Sequence, residues 1–452
     1  MAIIGVLVWA MLEGAVRKWI LPEFQSQILL VKDFVLFCAY GGYLIAGRKH
    51  LALGTKSGTL LILVLLEAIF CSLQLLNPNA PSKLLSLFGL KNYLIYIPLA
   101  FILPEIITDR AKLDRLLLWT CYLAIPISLL GLYQFSQPPS SWVNQYVSHE
   151  EGVQALVSVF GERGEGDFKY GRARTSGTFS YIGGFTTFLM MAVPLAAALL
   201  LASVPKRRTL LLVTAALALS IGAAATTGSR TPIFVFAASI PLMLIIAAWK
   251  RLLPPRIILR IVIGSTIAGI LTVFAFGGAF SALQYRANNA DSTMTRLASP
   301  FVETAAAYAT SPFIGTGLGS NSNASTTFMG SDPWWLNGYA YEMESARIMQ
   351  ELGVIGFIVV YLPKIFIIIL ILLQLHRARA RLMIATQTAA LIFVLSHLVL
   401  FTVNNPTGGL LYWSIVGIAI AARRIERFEQ RIALEEQHYL AHGFPVREVA
   451  FA

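Results

Sequence analysis

Apolar blocks near 20 residues long recur almost from end to end of this sequence, and that repetition constrains its fold more than any other feature. A helix of about that length crosses a hydrocarbon core of about 30 Å at 1.5 Å per residue. Within a bilayer only helices and closed barrels satisfy every backbone N–H and C=O. Alternating strands are absent, which leaves helices. Composition agrees: 56% of the 452 residues are hydrophobic and 13% charged, against roughly 45–50% apolar and about 25% charged in soluble domains. The expected fold class is all-α integral membrane, with about 12 transmembrane helices and a large outer loop subdomain. The expected spans are 2–20, 27–47, 57–76, 84–104, 114–136, 179–203, 209–227, 231–249, 257–279, 352–374, 382–402 and 409–422. The first is short and no basic segment precedes it, unlike a signal peptide; it is read as a tilted helix, with eleven spans as the fallback.

The net charge of +12 invites a nucleic-acid reading that its distribution refuses. One set of short loops (48–56, 105–115, 204–208, 250–260, 376–381 and 423–431) holds 20 Lys and Arg in 51 residues, whereas the alternate set (13–26, 77–83, 137–178, 228–230, 280–345 and 403–408) holds 10 in 138. Short basic loops stay on the cytoplasmic side, so both termini are expected inside, and the positive charge serves orientation and contact with anionic headgroups. Nucleic acid is not an expected partner; membrane lipids are. Cys38, Cys71 and Cys121 all fall inside apolar blocks, as small core residues would. No HExxH, DxD or clustered His or Cys suggests a metal, and no cofactor is expected.

The resulting organisation is 1–279 for helices one to nine, including the outward loop 137–178; 280–351 for the large outward loop subdomain; 352–422 for the last three helices; and 423–452 for a cytoplasmic tail. Loops as long as 280–345 are usually functional or disordered. Within it, ASPFVETAAAYATSP reads as a short helix, with Ser299 as cap, Pro300 at the first helical position and Ser311-Pro312 as its stop. The Gly-rich GTGLGS (315–320) follows.

Charge near a membrane is costly, so charges that persist there are functional candidates. Arg172 and Arg174 sit in YGRARTSGTFS, just before a span. Arg230, in TTGSRTP, has almost no loop to occupy, and Arg296 lies in STMTRLASP. In YEMESARIMQELGVIG, Glu344, Arg347 and Glu351 share a helical face by their i, i+3, i+7 spacing. Arginine's planar, permanently charged fork suits a diphosphate, so these outward arginines suggest an anionic, membrane-embedded substrate. The plainer alternatives are that Arg172 and Arg174 snorkel, that Arg296 pairs with an acid such as Glu303, and that Glu344 pairs with Arg347. Glu344, with Glu342 in reserve, is the candidate general base. Lys32, Asp33, Glu67, Lys91 and Lys364 could line a substrate portal or pair locally. His397, Asn404 and Asn405 are read as interhelical hydrogen-bonding groups.

The order RxSGTF before a span, GSR opening a span, an outward Arg followed by a helix and SPFIGTGLG, then ExGxxG at the mouth of a span resembles the bacterial O-antigen ligase and O-antigen (exopolysaccharide) polymerase family of polytopic membrane glycosyltransferases. That resemblance implies metal-independent, inverting glycosyl transfer at the periplasmic face of the inner membrane. The implied partners are a donor glycan on undecaprenyl diphosphate, a glycan or lipid acceptor, and flippase and chain-length regulator proteins. It also implies that Arg230 and Arg296 hold the diphosphate. Ligases of this family place a histidine shortly before the Gly-x-x-Gly element. Here Glu342 and Glu344 occupy that stretch and the large loop has no histidine, which favours polymerisation of repeat units over transfer of finished glycan to lipid A-core. A transporter or lipid-linked glycan flippase is the alternative from another class, but transporters place their charges at the midplane on broken helices, whereas these cluster on the outer side. The orientation is checked by fusion: alkaline phosphatase joined after Ser141 is expected to be active and joined after Arg208 inactive, and the reverse pattern would overturn the assignment.

Overall fold

A computed structural model describes residues 2–46, 55–147, 154–156, 159–160, 172–202, 207–252, 293–322, 325 and 341–441; of residues 55, 56, 154–156, 159, 160, 202, 293, 294, 296 and 439–441 only the backbone is described. The described residues are mostly helical, and nine helices among them are long and apolar enough to cross a membrane. Every expected span falls on a helix except 257–279, which lies outside the described residues. In order these are α1 (Ala2–Ala15), continued by a π-turn (Val16–Ile20), α2 (Gln25–Ile45), α3 (Thr55–Leu73), α4 (Lys83–Leu94), α5 (Leu99–Ile106), α6 (Arg110–Ser136), α7 (Ile182–Ala202), α8 (Arg207–Thr226) and α9 (Arg230–Trp249). There follow α10 (Thr293–Thr310), α11 (Glu344–Arg377), α12 (Arg381–Ser396) and α13 (Pro406–Ala441). Polar caps start several of them: the Ser82 hydroxyl accepts from the Leu85 amide at 3.5 Å, and the Asp109 carboxylate from the Lys112 amide at 2.8 Å.

Helix α7 is the hub. Its Phe185, Phe188 and Leu189 are wholly buried, and it packs against α8, α9, α12 and α13. The outermost helices turn large apolar side chains outward instead: Phe37 on α2 is 72% exposed, and Ile62 on α3 is 60% exposed. Water would penalise such a surface, while lipid accepts it.

The two sets of loops separated by charge are also separated in space. Among the basic loops, Lys250 donates to the carbonyls of His376 and Ala378 at 2.6 and 3.0 Å, Arg424 pairs with Glu105, and the Glu426 carboxylate accepts from the amides of Arg379 and Ala380. Among the alternate loops, Lys18 reaches Gly177, Asn77 reaches Gly315, Thr175 meets Thr226, and Glu344 meets Thr402. The described helices therefore run between two ends, one gathering the basic loops and the other the alternate set.

Three local expectations change. The helix after Arg296 is already formed at Thr293, so Ser299 is interior and bonds back to the Thr295 carbonyl at 2.9 Å rather than capping. Pro300, lacking an amide, cannot donate to the carbonyl four residues back, which is that of Arg296. The span expected to end near residue 402 ends at Ser396, leaving 397–405 as non-helical chain at the outer end. The loop 137–178 carries two antiparallel ribbons that its composition did not announce, β1 (Gln145–Val147) with β2 (Gln154–Leu156) and β3 (Val159–Phe160) with β4 (Arg172–Ala173).

Helix α11 breaks at Gly353, whose φ of 68° and ψ of −169° leave the helix. The break leaves the carbonyls of Gln350 and Glu351 without helical donors; they accept instead from the amides of Thr316 and Gly317 at 2.8 and 2.9 Å. The glycine-rich GTGLGS is thus a clamp on the end of a helix. Positive φ favours glycine at 353, and a Cβ there would come within 1.9 Å of the Phe313 carbonyl oxygen. Gly353→Ala is expected to destabilise by at least about 1–3 kcal/mol and to lower the thermal midpoint of the detergent-purified protein. Gly58→Ala on α3, where a Cβ meets nothing within 4 Å, leaves that midpoint unchanged.

Candidate functional site

The stretch 172–181 lies at the end of the bundle away from the basic loops and brings two of the arginine motifs together. Its entry is set by β4, and its exit by the start of α7 at Ile182. Non-helical backbone at this depth must find partners, and it finds them on four elements. The Gln134 side chain, near the end of α6, donates to the Gly177 carbonyl at 3.3 Å and accepts from the Gly177 amide at 2.8 Å. The Tyr146 hydroxyl donates to the Arg174 carbonyl. The Thr175 amide donates to the Thr226 carbonyl at 3.2 Å, and the two hydroxyls meet at 2.7 Å. Finally Lys18, 1% exposed, donates to the Gly177 carbonyl at 2.7 Å and the Ser176 hydroxyl at 3.0 Å.

Two of the arginine motifs converge here. Arg174 Nε donates to the Thr227 carbonyl at 3.0 Å, three residues before Arg230 opens α9. Arg174 and Arg230 are both half-buried. Arg172 is exposed, with its guanidinium over the Phe135 ring at 5.7 Å. Arg17 adds a further cation: it donates to the Ser180 hydroxyl at 2.9 Å and lies 3.5 Å from Glu13, which pairs with Lys32 at 2.7 Å. Arg17 and Lys18 were missed in the sequence because EGAVRK ends the first apolar block, where basic residues look like a simple boundary. The signal was Glu13 itself, a carboxylate inside a span. Gly14 permits this contact: a Cβ there would lie 2.1 Å from the Ser180 amide nitrogen.

Glu344 makes other contacts than the Arg347 pair that its spacing suggests. It is wholly buried, and its carboxylate accepts five hydrogen bonds: from Lys364 Nζ at 3.0 Å, the Thr402 hydroxyl at 2.7 Å, and the amides of Thr402, Val403 and Asn404 at 2.6, 2.8 and 3.2 Å. A general base must reach the hydroxyl it deprotonates. Glu344 reaches backbone, and its ion pair is with Lys364, not Arg347. Its two face-mates are anchors too. Arg347 donates to the carbonyls of Tyr341 and Asn321 at 2.8 and 3.3 Å, and Glu351 accepts from the Asn321 amide and the Tyr93 hydroxyl, both at 2.9 Å. Glu342, two residues before Glu344, is exposed.

The loop held by Glu344 continues to Asn405, whose side chain lies 3.5 Å from Thr187 on α7, the helix that the arginine loop enters. Arg296 lies on α10, and its side chain is outside the described residues. Its backbone position is four residues before Pro300 and seven before Glu303, which is one helical face. Pro300's carbonyl accepts from the Ser345 hydroxyl at 3.2 Å, and the Glu303 carboxylate accepts from the Met343 amide at 2.9 Å; Glu303, the partner suggested for Arg296, thus caps α11. Of the other intramembrane charges, Lys32 pairs with Glu13, Lys91 with Asp33 at 2.6 Å and Lys364 with Glu344, while Glu67 is buried on α3. His397 is buried, bonded through Nδ1 to the Phe393 carbonyl at 2.8 Å. Among the described residues no group of three or more His, Cys, Asp or Glu could hold a metal ion.

An anchoring Glu344 makes a distinctive prediction. Glu344→Gln removes the counter-charge of buried Lys364, a loss of about 3–5 kcal/mol, so the folded yield and thermal midpoint are expected to fall with activity. A purely catalytic Glu344 would leave a stable, inactive protein.

Residues 215–361 match a protein-family model described as O-antigen ligase. The match runs from within α8 into α11 and takes in Arg230, Arg296, the glycine clamp, Glu342 and Glu344; Arg172 and Arg174 precede it. It bears out the likeness to the O-antigen ligase and polymerase family and supports glycan transfer of that general type by a multi-pass membrane protein. No curated protein matches the chain.

Proposed function

We propose, from the premise that this chain carries the domain of the O-antigen ligase family, that it polymerises undecaprenyl-diphosphate-linked oligosaccharide repeat units into O-antigen or exopolysaccharide at the periplasmic face of the inner membrane. The observation that carries this reading is the stitching of RARTSGTF to TTGSR. Residues some fifty positions apart in sequence meet at Arg174–Thr227 and Thr175–Thr226, so that Arg174 and the helix opened by Arg230 share one corner of the outer surface.

The chemistry needs a sink for the departing electron pair and a proton acceptor. An acceptor hydroxyl oxygen forms a bond to the anomeric carbon of the donor from the face opposite the diphosphate, which inverts the configuration. The bond from that carbon to the diphosphate oxygen breaks, and its electron pair leaves with the diphosphate. Arg230 and Arg174, with Arg296 and exposed Arg172, stabilise the charge that develops there by preorganised donors. The hydroxyl proton passes to a carboxylate. Because Glu344 is buried and saturated, we assign that role to Glu342 and give Glu344 the task of holding 402–404 beneath the site. A flippase supplying the lipid-linked unit and a chain-length regulator are the partners such a step calls for.

Arg230→Ala and Arg174→Ala are each expected to lower kcat/KM by roughly 10²–10³ in a reconstituted assay that follows release of undecaprenyl diphosphate, and to shorten glycan chains in cells. Unchanged chain length in both variants would sink the proposal. Ligase-type transfer of finished glycan to lipid A-core or another acceptor is the second reading, favoured by the description of the matched family. A deletion strain separates the two, since loss of a polymerase leaves single capped units and loss of a ligase leaves long unattached chains.

A further inference from the structure

The site described so far grips a diphosphate, yet what distinguishes one donor from another is the sugar attached to it. The chain leaving α6 supplies a surface for that sugar. Asn144 folds residues 137–144 back over the end of α6, its side chain donating to the carbonyls of Gln134, Gln137 and Pro138 at 2.9, 3.3 and 2.9 Å. This turn places Trp142 outward, 68% exposed. The next carbonyl along, Val143, accepts from the same Gln134 amide group that contacts Gly177 of the arginine loop, at 3.1 Å. The Trp142 ring stands edge-on to Trp19, with centroids 6.2 Å apart, and Trp19 is the residue after the lysine that clips the loop. Tyr181, at the end of that loop, is 55% exposed. Its ring meets Tyr146 at 4.8 Å, and Tyr146 holds the Arg174 carbonyl.

We infer that Trp142 and Tyr181 form a saccharide subsite, on which the pyranose rings next to the diphosphate stack. The inference rests on the proposed diphosphate site and names what binds beside it. A pyranose presents an apolar face of axial C–H groups edged by hydroxyls, and an exposed, rigid aromatic ring matches that face at low entropic cost. Each of the two rings is braced by a second aromatic side chain, which holds it in place. Both sit on chain segments that also position Arg174 or Gly177, so the sugar and phosphate contacts are registered to one loop. Aromatic residues also gather at membrane boundaries as lipid anchors, and an anchor would be indifferent to sugar.

The test compares two ligands on the full-length protein in nanodiscs: sugar-free undecaprenyl diphosphate, and the lipid-linked oligosaccharide extracted from the same cells. Trp142→Ala and Tyr181→Ala are expected to weaken binding of the sugar-bearing lipid by about tenfold and to leave sugar-free undecaprenyl diphosphate unaffected. Trp142→Phe and Tyr181→Phe, which keep a ring, retain most of the affinity, and thermal midpoints confirm that all four variants are folded. Equal weakening of both ligands, or of neither, overturns the subsite and leaves the rings as packing or lipid anchors. Failure of the diphosphate site is a separate result, read from Arg230→Ala: if that variant binds sugar-free undecaprenyl diphosphate as the parent does, the proposed function falls whatever the aromatic variants show.

Discussion

Backbone that leaves a helix inside or at the edge of a membrane must be satisfied by protein, because hydrocarbon offers it nothing. At the end away from the basic loops, three of the described stretches that leave the helix are 172–181, 312–322 and 397–405. Each departure is bound by side chains from elsewhere in the sequence. Gln134, Tyr146 and Lys18 hold the first; Gln74, Asn77 and Asn79 donate to Ile314 or Gly315 in the second; Glu344 takes three consecutive amides of the third. The outer architecture is a set of loops pinned by buried polar groups, and the candidate site is where the loops come together.

This requirement sorts the ionisable residues into two groups. A buried charge is costly unless a counter-charge or hydrogen bonds offset its desolvation; Glu344 with Lys364 and Glu13 with Lys32 form ion pairs, while Lys18 and Glu351 are hydrogen-bonded to backbone and hydroxyl groups. Their work is to hold shape. Arg172, Arg174, Arg230 and Glu342 lie nearer the surface, half-buried or exposed, where a substrate headgroup can reach. The same constraint that makes a charge in a membrane look catalytic also makes it useful as an anchor. Only its partners tell which it is.

The spans, their alternation and the two charge-distinguished sets of loops were legible in the sequence because each is a local property: twenty apolar residues in a row, or a basic loop of ten. The position of Arg174 and Arg230 beside spans was legible for a related reason, since both have little loop to live on. The backbone partners of Glu344 were not, since they lie 58 to 60 residues away and no spacing rule connects them. Nor were Arg17 and Lys18, whose contacts lie more than 150 residues away.

What the sequence alone determined is therefore the solvent this protein folds in, the order of the crossings among the described residues, and the end at which its unusual cations gather. Those follow from hydrophobic length and charge asymmetry, which are additive along the chain. Which carboxylate anchors and which is exposed, which arginine meets which loop, and where aromatic rings stand beside them were decided by tertiary structure. Hydrogen bonds in a low-dielectric interior depend on ångström-scale placement of distant groups, and no one-dimensional pattern carries that information.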